Sequence, residues 1–459
     1  MAARQERRTL CRSVLACVAV VVLVTLAGGG GAWARTGSPS STATGRRPSK
    51  PVGVGVTPTQ IKVGIALVDF DCVKNFVDEI RVNQDQVYQA YVDDINAKGG
   101  IAGRKIVPVY DSYCPLGSAG PLAVCTKFAD DDKVFAVVGT FVDFSGDAQT
   151  CVAKQHQRVL MTFNLTQAIM NQSPPGLIVY PGATNERTVR VLLQLLKKQN
   201  TLAHKKVAVL GGSQEASTVN QTIVPGLKKL HVATGSTAVL SISGTADTTA
   251  AQAQLDSFIE KWKGENVNAV FLSGDEVASK QFVTKLRAAL PNVMLIADTT
   301  DVKDFGRELV QAGMKPNPYE GILSAGGLTP QEYDQSENWK YCAAIYEKYT
   351  GMHAPDSQEV LQGPGGKTLG TNGSINDACQ VLTMFHDIAV RAGENLNNSN
   401  WVKTVNSFGK IDNRGSGPYS SLHSRKYDAE DNFRLEAFDS SIGSGGDWRA
   451  VTPLQDITG

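Results

Sequence analysis

The chain has 459 residues, of which 42% are hydrophobic and 19% charged, and its formal net charge at pH 7 is +1. A nearly neutral chain with scattered basic residues lacks the broad positive surface that polyanions need, which argues against nucleic acid as a partner. The length exceeds what one hydrophobic core usually organises, so we expect two domains.

The first 34 residues have the pattern of a secretory signal peptide. Four arginines precede an apolar run at residues 14–27, which is too short for a bilayer span of roughly 20 residues. The arginines are Arg4, Arg7, Arg8 and Arg12, and we expect cleavage after Ala34. Lipid modification of Cys17 is the alternative, but this cysteine lies inside the apolar run rather than after it. We therefore expect an exported protein of the cell envelope, with possible surface attachment left open.

Residues 35–57 are rich in Ser, Thr, Pro and Gly and have almost no large apolar side chains. Such a segment cannot bury enough apolar surface to offset the entropy of ordering. We expect a flexible linker.

Six cysteines remain after removal of the signal peptide. An even number in an exported protein favours three disulfides, and no CxxC spacing or nearby histidine indicates a metal site. The predicted layout favours the pairs Cys72–Cys114, Cys125–Cys151 and Cys342–Cys379. A pairing of Cys114 with Cys151 is the open alternative.

Strand and helix patterns alternate twice along the chain. Residues 61–68 are nearly all apolar, as in a strand that is covered on both faces. We predict strands at 61–68, 105–110, 134–139, 159–162 and 177–180, with helices at 77–97, 121–130 and 145–157. This order predicts a doubly wound parallel sheet of the α/β class.

The pattern restarts after Pro181-Gly182-Ala183-Thr184. We predict helices at 186–199, 218–230, 248–263 and 276–289, and strands at 206–211, 237–242, 269–272, 293–297 and 320–324. Helices follow at 337–349, 375–392 and 401–408, and a closing hairpin at 433–438 and 448–451. The second half is therefore a second α/β unit.

The run from Asp94 to Ile106, DINAKGGIAGRKI, ends a helix, turns at Gly99-Gly100 and starts a strand. This run resembles the type I periplasmic solute-binding proteins, in particular the branched-chain amino-acid (Leu/Ile/Val) group. There it joins the first helix to the second strand. Residues 206–210 and 265–271 resemble the same family.

The resemblance implies two doubly wound parallel-sheet lobes joined by a three-segment hinge, with crossings near Pro181, near Gly326 and at residues 425–440. Lobe 1 would comprise residues 58–181 and 328–430, and lobe 2 residues 182–327 and 431–459. It also implies a monomer without a cofactor that closes on a small molecule and delivers it to an ABC permease.

Ligands of open α/β sheets bind beyond the carboxyl ends of the strands, so the strand-end loops supply the candidate site residues. In lobe 1 these are Asp69, Phe70, Asp71, Thr140, Phe141, Asp143, Phe144, Ser145, Asn164 and Thr166. In lobe 2 they are Gln214, Glu215, Asp275, Glu276, Asp298, Thr300 and Asp301.

Eight of these candidates are carboxylates and none is Lys or Arg. A negative cleft with phenylalanine walls suits a cation or a hydroxyl-rich ligand. The alternative is that most of these Asp side chains cap helices and face water.

The resemblance places Ser145 and Thr166 where amino-acid-binding members hold the ligand carboxylate, and helix N-capping is an equally good role for both. Lobe 2 departs from the family, because Ala216 and Asp275 replace aromatic residues and Thr299 replaces a carboxylate. The departure counts against a branched-chain amino acid as the ligand.

Enzyme signatures such as GxSxG and HExxH do not occur in the sequence. We predict a binding protein that is not an enzyme. A surface sensor without transport and, less favoured, an extracellular hydrolase are the alternatives.

Overall fold

The structure is a computed structural model that describes residues 52–458 except 76, 78, 144, 213–214, 242–247, 300 and 444, with the backbone alone at 248–249. The expected signal peptide and most of the expected linker lie outside these residues. The end of the expected linker is packed, since Val56 is buried and the Gly53 amide donates to the Leu396 carbonyl at 2.7 Å. The packed region therefore begins before residue 57.

Seventeen strands occur in the described part of the chain. They are β1 Gln60–Val68, β2 Glu79–Ile80, β3 Lys105–Tyr113, β4 Ala136–Gly139, β5 Val159–Met161, β6 Ile178–Val179, β7 Lys206–Gly212, β8 Ala233–Leu240, β9 Ala269–Ser273, β10 Met294–Ala297, β11 Leu323–Gly326, β12 Thr368–Leu369, β13 Gly409–Lys410, β14 Ser421–Leu422, β15 Asn432–Asp439, β16 Asp447–Ala450 and β17 Gln455–Asp456.

The helices of the described residues alternate with these strands. They are α1 Phe70–Val73, α2 Gln84–Ala97, α3 Ala119–Thr126, α4 Asp147–Thr150, α5 Gln167–Asn171, α6 Asn185–Lys198, α7 Ala216–Thr218, α8 Val224–Lys229, α9 Thr248–Gly264, α10 Asp275–Ala278, α11 Lys280–Ala289, α12 Val302–Gln311, α13 Pro330–Asp334, α14 Glu337–Thr350, α15 Thr371–Ala392 and α16 Asn398–Asn406. Single π-helical turns extend α3, α4 and α7.

Lobe 1 is built on a parallel five-stranded sheet in the order β3-β1-β4-β5-β6. Strand β4 is buried along its whole length, as expected for a strand covered by helices on both faces. Helices α2, α14 and α15 pack together on this lobe, and Tyr91 donates to the Cys342 carbonyl at 2.9 Å. The late helices thus return to the first lobe.

Lobe 2 is built on a larger sheet in the order β16-β15-β11-β10-β9-β7-β8. Strands β7 to β11 are parallel, whereas β15 is antiparallel to both β11 and β16. The predicted closing hairpin is therefore the antiparallel edge of this sheet. The doubly wound α/β fold with two sheets is confirmed.

Two predicted helices begin or run differently in the structure. The helix predicted at 77–97 begins only at Gln84, because Asn83 has a left-handed backbone (φ 51°) and Glu79–Ile80 pairs with Thr368–Leu369. The helix predicted at 276–289 is broken at Ser279, whose extended backbone (ψ 159°) separates α10 from α11.

The chain crosses between the sheets after β6, after β11 and before β15. A buried charge network joins the first and third crossings. The Arg187 guanidinium contacts the carboxylates of Asp428 (3.3 Å) and Asp431 (2.5 Å), and the Lys426 ammonium lies 3.1 Å from Asp431. We call these four residues the hinge network. All four side chains are at most 6% exposed, so the network holds the two crossings together without solvent.

Three disulfides form in the structure, and they are the pairs that the predicted layout favours: Cys72–Cys114, Cys125–Cys151 and Cys342–Cys379. All three lie in lobe 1. A search of the described helices finds none that is long and apolar enough to cross a membrane.

Candidate functional site

The lobe 1 edge of the cleft centres on the end of β4. Gly139 has φ 110°, and a Cβ there would lie 2.6 Å from the Ala66 carbonyl oxygen. Thr140 follows, and its hydroxyl lies 3.5 Å from the Asp377 carboxylate. Asp377 in turn accepts from the Arg81 guanidinium at 2.5 Å. The buried Tyr88 side chain ends nearby, with its hydroxyl 3.4 Å from where a Gly139 Cβ would lie.

We call Arg81, Tyr88, Thr140 and Asp377 the Arg81 cluster. Of these, only Thr140 is a candidate from the sequence. Arg81 and Asp377 are 296 residues apart, and Arg81 falls in a segment that the sequence predicts as helix. A strand signal at 79–80, though only two residues long, would have placed Arg81 beyond a strand end.

Asp143 and Ser145 bond to one another and to the start of α4. The Asp143 carboxylate accepts from the Ala148 amide (2.8 Å), the Ser145 amide (3.1 Å) and the Ser145 hydroxyl (2.9 Å). The side chain is 5% exposed. Asp143 thus has the capping role that was the alternative to ligand binding.

Thr166 also caps a helix, because its hydroxyl accepts from the Ile169 amide at 3.2 Å. The amide of Gln167 at the start of the same helix donates to the Glu186 carboxylate at 2.8 Å. The first amide of this helix therefore already has a carboxylate partner within the protein. Asn164 lies just before, with a left-handed backbone (φ 55°).

Phe141 does not form an aromatic wall of the cleft. Its ring is fully buried and packs edge-on against Tyr113, with ring centroids 5.5 Å apart. The expectation that Phe141 faces a ligand is therefore wrong. Phe144 and Gln214, and also Thr300, lie outside the described residues.

A cavity of about 560 Å³ opens beyond the ends of β1 and β3. Asp69, Phe70 and Asp71 line it, as do Lys74 and Arg81. Asp69 caps α1 by accepting from the Asp71 amide at 3.0 Å, and Lys74 pairs with Asp71 at 3.2 Å. Two cations, Lys74 and Arg81, thus lie beside the acidic candidates of this loop, and neither is a candidate from the sequence.

Lobe 2 presents an acidic face at the ends of β7, β9 and β10, formed by Glu215, Asp275, Glu276, Asp298 and Asp301. Glu215 and Glu276 flank Gly274, and the Thr299 hydroxyl donates to Asp275. Desolvation raises the pKa of both glutamates. Desolvation and the charge of Asp275 also raise the pKa of Asp301. The acidic face thus consists of hydrogen-bond acceptors whose negative charge is only partly balanced.

Asp298 is the most buried member of this acidic face, at 7% exposure. It accepts from the Ser273 hydroxyl (2.6 Å) and the Gly274 amide (2.9 Å). Desolvation, followed by the charge of Glu215, raises the pKa of Asp298 to about 7.

The raised pKa of Asp298 predicts a pH-dependent stability. Its folded-state pKa of about 7 exceeds the ordinary value of 3.8, so the folded form holds a proton that the unfolded chain releases. The stability contribution is therefore present at low pH and lost as the pH rises towards and through 7. We expect Asp298→Asn to raise the melting temperature at pH 8 and to have less effect at pH 5.5. The exposed Asp256 of the same lobe is the matched control as Asp256→Asn. An equal effect of Asp298→Asn at both pH values would contradict this.

A second cavity, of about 390 Å³, lies between the lobes at the hinge. Lobe 2 contributes Lys303 and Asp304, and lobe 1 contributes Tyr333, Asn372 and Asn376. Asn376 immediately precedes Asp377 of the Arg81 cluster. The interlobe space is thus lined by charged side chains of lobe 2 and by amide and hydroxyl side chains of lobe 1.

A family model described as periplasmic binding protein matches residues 82–363. The chain belongs to the periplasmic binding protein family. A curated relative, the Leu/Ile/Val/Thr-binding protein of Salmonella typhimurium, is 22% identical over 61% of this chain and 77% of its own length.

Solved periplasmic binding proteins share the fold. An ABC transporter solute-binding protein of Rhodopseudomonas palustris BisB5, in complex with 3,4-dihydroxybenzoic acid, has a TM-score of 0.59 at 13% identity, covering 87% of this chain and 98% of its own. The Desulfitobacterium hafniense substrate-binding protein in complex with Leu has a TM-score of 0.58 at 14% identity, covering 85% and 100%. The fold of this chain is therefore that of the type I periplasmic binding proteins.

Proposed function

We propose that this periplasmic binding protein captures a small polar solute between its two lobes and presents it to an ABC importer. The observation that carries the proposal is the interlobe cavity lined by residues of both lobes. A ligand that touches both lobes favours the closed arrangement because it gains contacts only there. We propose an ABC importer as the partner because the structural neighbours are binding proteins of ABC transporters.

We infer a cationic or hydroxyl-rich ligand. The acidic face of lobe 2 supplies many acceptors, and the raised pKa values of Glu215, Glu276 and Asp298 mean that a donor or cation there relieves a desolvation penalty. An amino acid is a further candidate, since the curated relative is named for leucine, isoleucine, valine and threonine. The substitutions Ala216, Asp275 and Thr299 count against a branched side chain.

The proposal includes export by a signal peptide at residues 1–34 and action as a monomer. The lobe boundaries 58–181 with 328–430, and 182–327 with 431–459, are part of it. The sheets support these limits, because β1 to β6 precede the first crossing and β15 follows the third.

A thermal-shift screen tests the proposal directly. A ligand that binds only the folded form raises the melting temperature by mass action, and at 100 times its Kd the stabilisation is about 2.7 kcal/mol. We expect a cation or hydroxylated compound to give such a shift, and small-angle scattering to show a smaller radius of gyration on saturation. Binding of dianions alone would contradict the ligand class, and a ligand-saturated protein with unchanged scattering would contradict closure.

A further inference from the structure

We propose that the Arg81 cluster binds two adjacent hydroxyl groups of the solute, so that the ligand is a sugar or polyol. This inference rests on the proposed function and names the ligand class for the same cleft. It is carried by hydrogen-bonding groups that the fold brings together and that have unfilled capacity among the described residues.

The ion pair at the centre of the cluster has free capacity on both sides. Arg81 uses Nη1 for Asp377 Oδ2. Among the described residues, nothing accepts a hydrogen bond from Arg81 Nη2 or Nε, and nothing donates to Asp377 Oδ1. The side chains are 21% and 18% exposed, so a ligand in the cleft can reach them. The pair therefore offers donors and an acceptor side by side.

The Tyr88 hydroxyl provides a second, independent observation. The residue is 2% exposed, and its hydroxyl lacks a hydrogen bond of good geometry although Thr140 is beside it. Leaving a buried hydroxyl without a hydrogen-bond partner is destabilising. A ligand hydroxyl at the end of β4 would give the Tyr88 hydroxyl a partner, and it would lie beside Thr140, whose own hydroxyl donates to Asp377 at 3.5 Å.

The arrangement discriminates by charge. Asp377 already neutralises Arg81, and a Cβ at Gly370 would lie 2.0 Å from the Glu79 carboxylate, so that second negative group stands at the start of α15. A ligand carboxylate would meet both acids, and a bare cation would meet the guanidinium. A ligand hydroxyl accepts from Arg81 and donates to Asp377 at the same time. Two adjacent hydroxyls can bond together to the planar guanidinium group of Arg81.

The position of Arg81 is fixed by packing against α15. A Cβ at Gly373 would lie 2.9 Å from Arg81 Nη2, so the guanidinium rests on the first turn of this helix. Asn372 and Asn376 of the same helix line the hinge cavity. The Asn372 amide donates to the Pro355 carbonyl and the Asn376 oxygen accepts from Tyr333, and each amide keeps further capacity for a ligand hydroxyl. Such a row of donors and acceptors matches a ligand with several hydroxyl groups.

Isothermal titration and thermal shift with three probe sets test the inference. The sets are sugars and polyols (myo-inositol, D-glucitol, D-glucose, D-ribose), polyamines (putrescine, spermidine) and acids (succinate, 4-hydroxybenzoate). We expect binding by a member of the first set. Arg81→Met and Asp377→Asn should each weaken that binding at least tenfold. Lys154→Met, which removes an exposed cation of lobe 1 away from the described cavities, is the matched control and should change the affinity less than threefold.

The outcomes separate the inference from the proposed function. Binding by polyamines or acids but by no sugar or polyol overturns the inference and leaves solute capture standing. Sugar binding that Arg81→Met and Asp377→Asn leave intact also overturns it. Absence of binding by all three sets and by a general metabolite library overturns the proposed function and the inference together. Circular dichroism checks that each variant folds. If Arg81→Met does not fold, Arg81→Lys is used instead, because lysine keeps the positive charge but lacks the planar guanidinium.

Discussion

Replacing Arg187 by Met is expected to lower the free energy of unfolding by about 3–5 kcal/mol, since it leaves buried carboxylates without their main partner. Arg187 contacts Asp428 and Asp431 and also donates to the Ile457 carbonyl at 2.7 Å. Only the Lys426 ammonium would remain to balance two carboxylates. Urea-induced unfolding followed by tryptophan fluorescence measures the change.

Arg190→Met is the matched control for Arg187→Met. Arg190 lies in the same helix, α6, and is exposed. The control should stay within about 0.5 kcal/mol of the wild type, as surface substitutions usually do. If the two variants unfold at the same urea concentration, the hinge network does not stabilise the crossings.

Gly139→Ala is expected to cost about 2–4 kcal/mol and to weaken solute binding as well. The backbone angle φ of 110° is unfavourable for alanine, and the added Cβ would press on the Ala66 carbonyl of β1 from 2.6 Å. A shift of β4 against β1 would displace Thr140 and hence one member of the Arg81 cluster. Urea unfolding and titration with the ligand found in the screen measure the two effects.

Gly103→Ala separates backbone strain from crowding. Gly103 also has a positive φ (78°), but no atom lies within 4 Å of a Cβ built there. We expect a cost of about 1 kcal/mol from the backbone angle alone, with unchanged binding. Equal losses of stability for the two variants would show that crowding against β1 contributes nothing.

The alternation of strands and helices could be predicted because it depends on short, local patterns of apolar and polar residues. Strand β4 is a short apolar run that is buried throughout, and β1 is apolar and buried over most of its length, which is the pattern of parallel strands under helices. The pairing of β2 with β12 could not be predicted, since each strand has two residues and the pairing joins distant parts of the chain. Nothing local distinguishes such a strand from the start of a helix.

The candidate site could be predicted only in outline. The residues of the acidic face follow β7, β9 and β10 as predicted, and their role in ligand binding stays a prediction. The sequence could not show that Asp143 caps a helix or that Phe141 turns into the core, because both depend on side-chain direction after the strand ends. Arg81 and Asp377 meet only through tertiary packing.

Under the export proposed above, the three disulfides have a consequence for how the protein matures. Each closes a short stretch of chain, with separations of 42, 26 and 37 residues, and none connects the two sequence segments of lobe 1. Two can therefore be oxidised as soon as residue 151 emerges from the translocation channel, before any of lobe 2 appears. The last needs only residues up to 379. Oxidation can thus proceed vectorially, in chain order, and joining the two segments is left to non-covalent assembly.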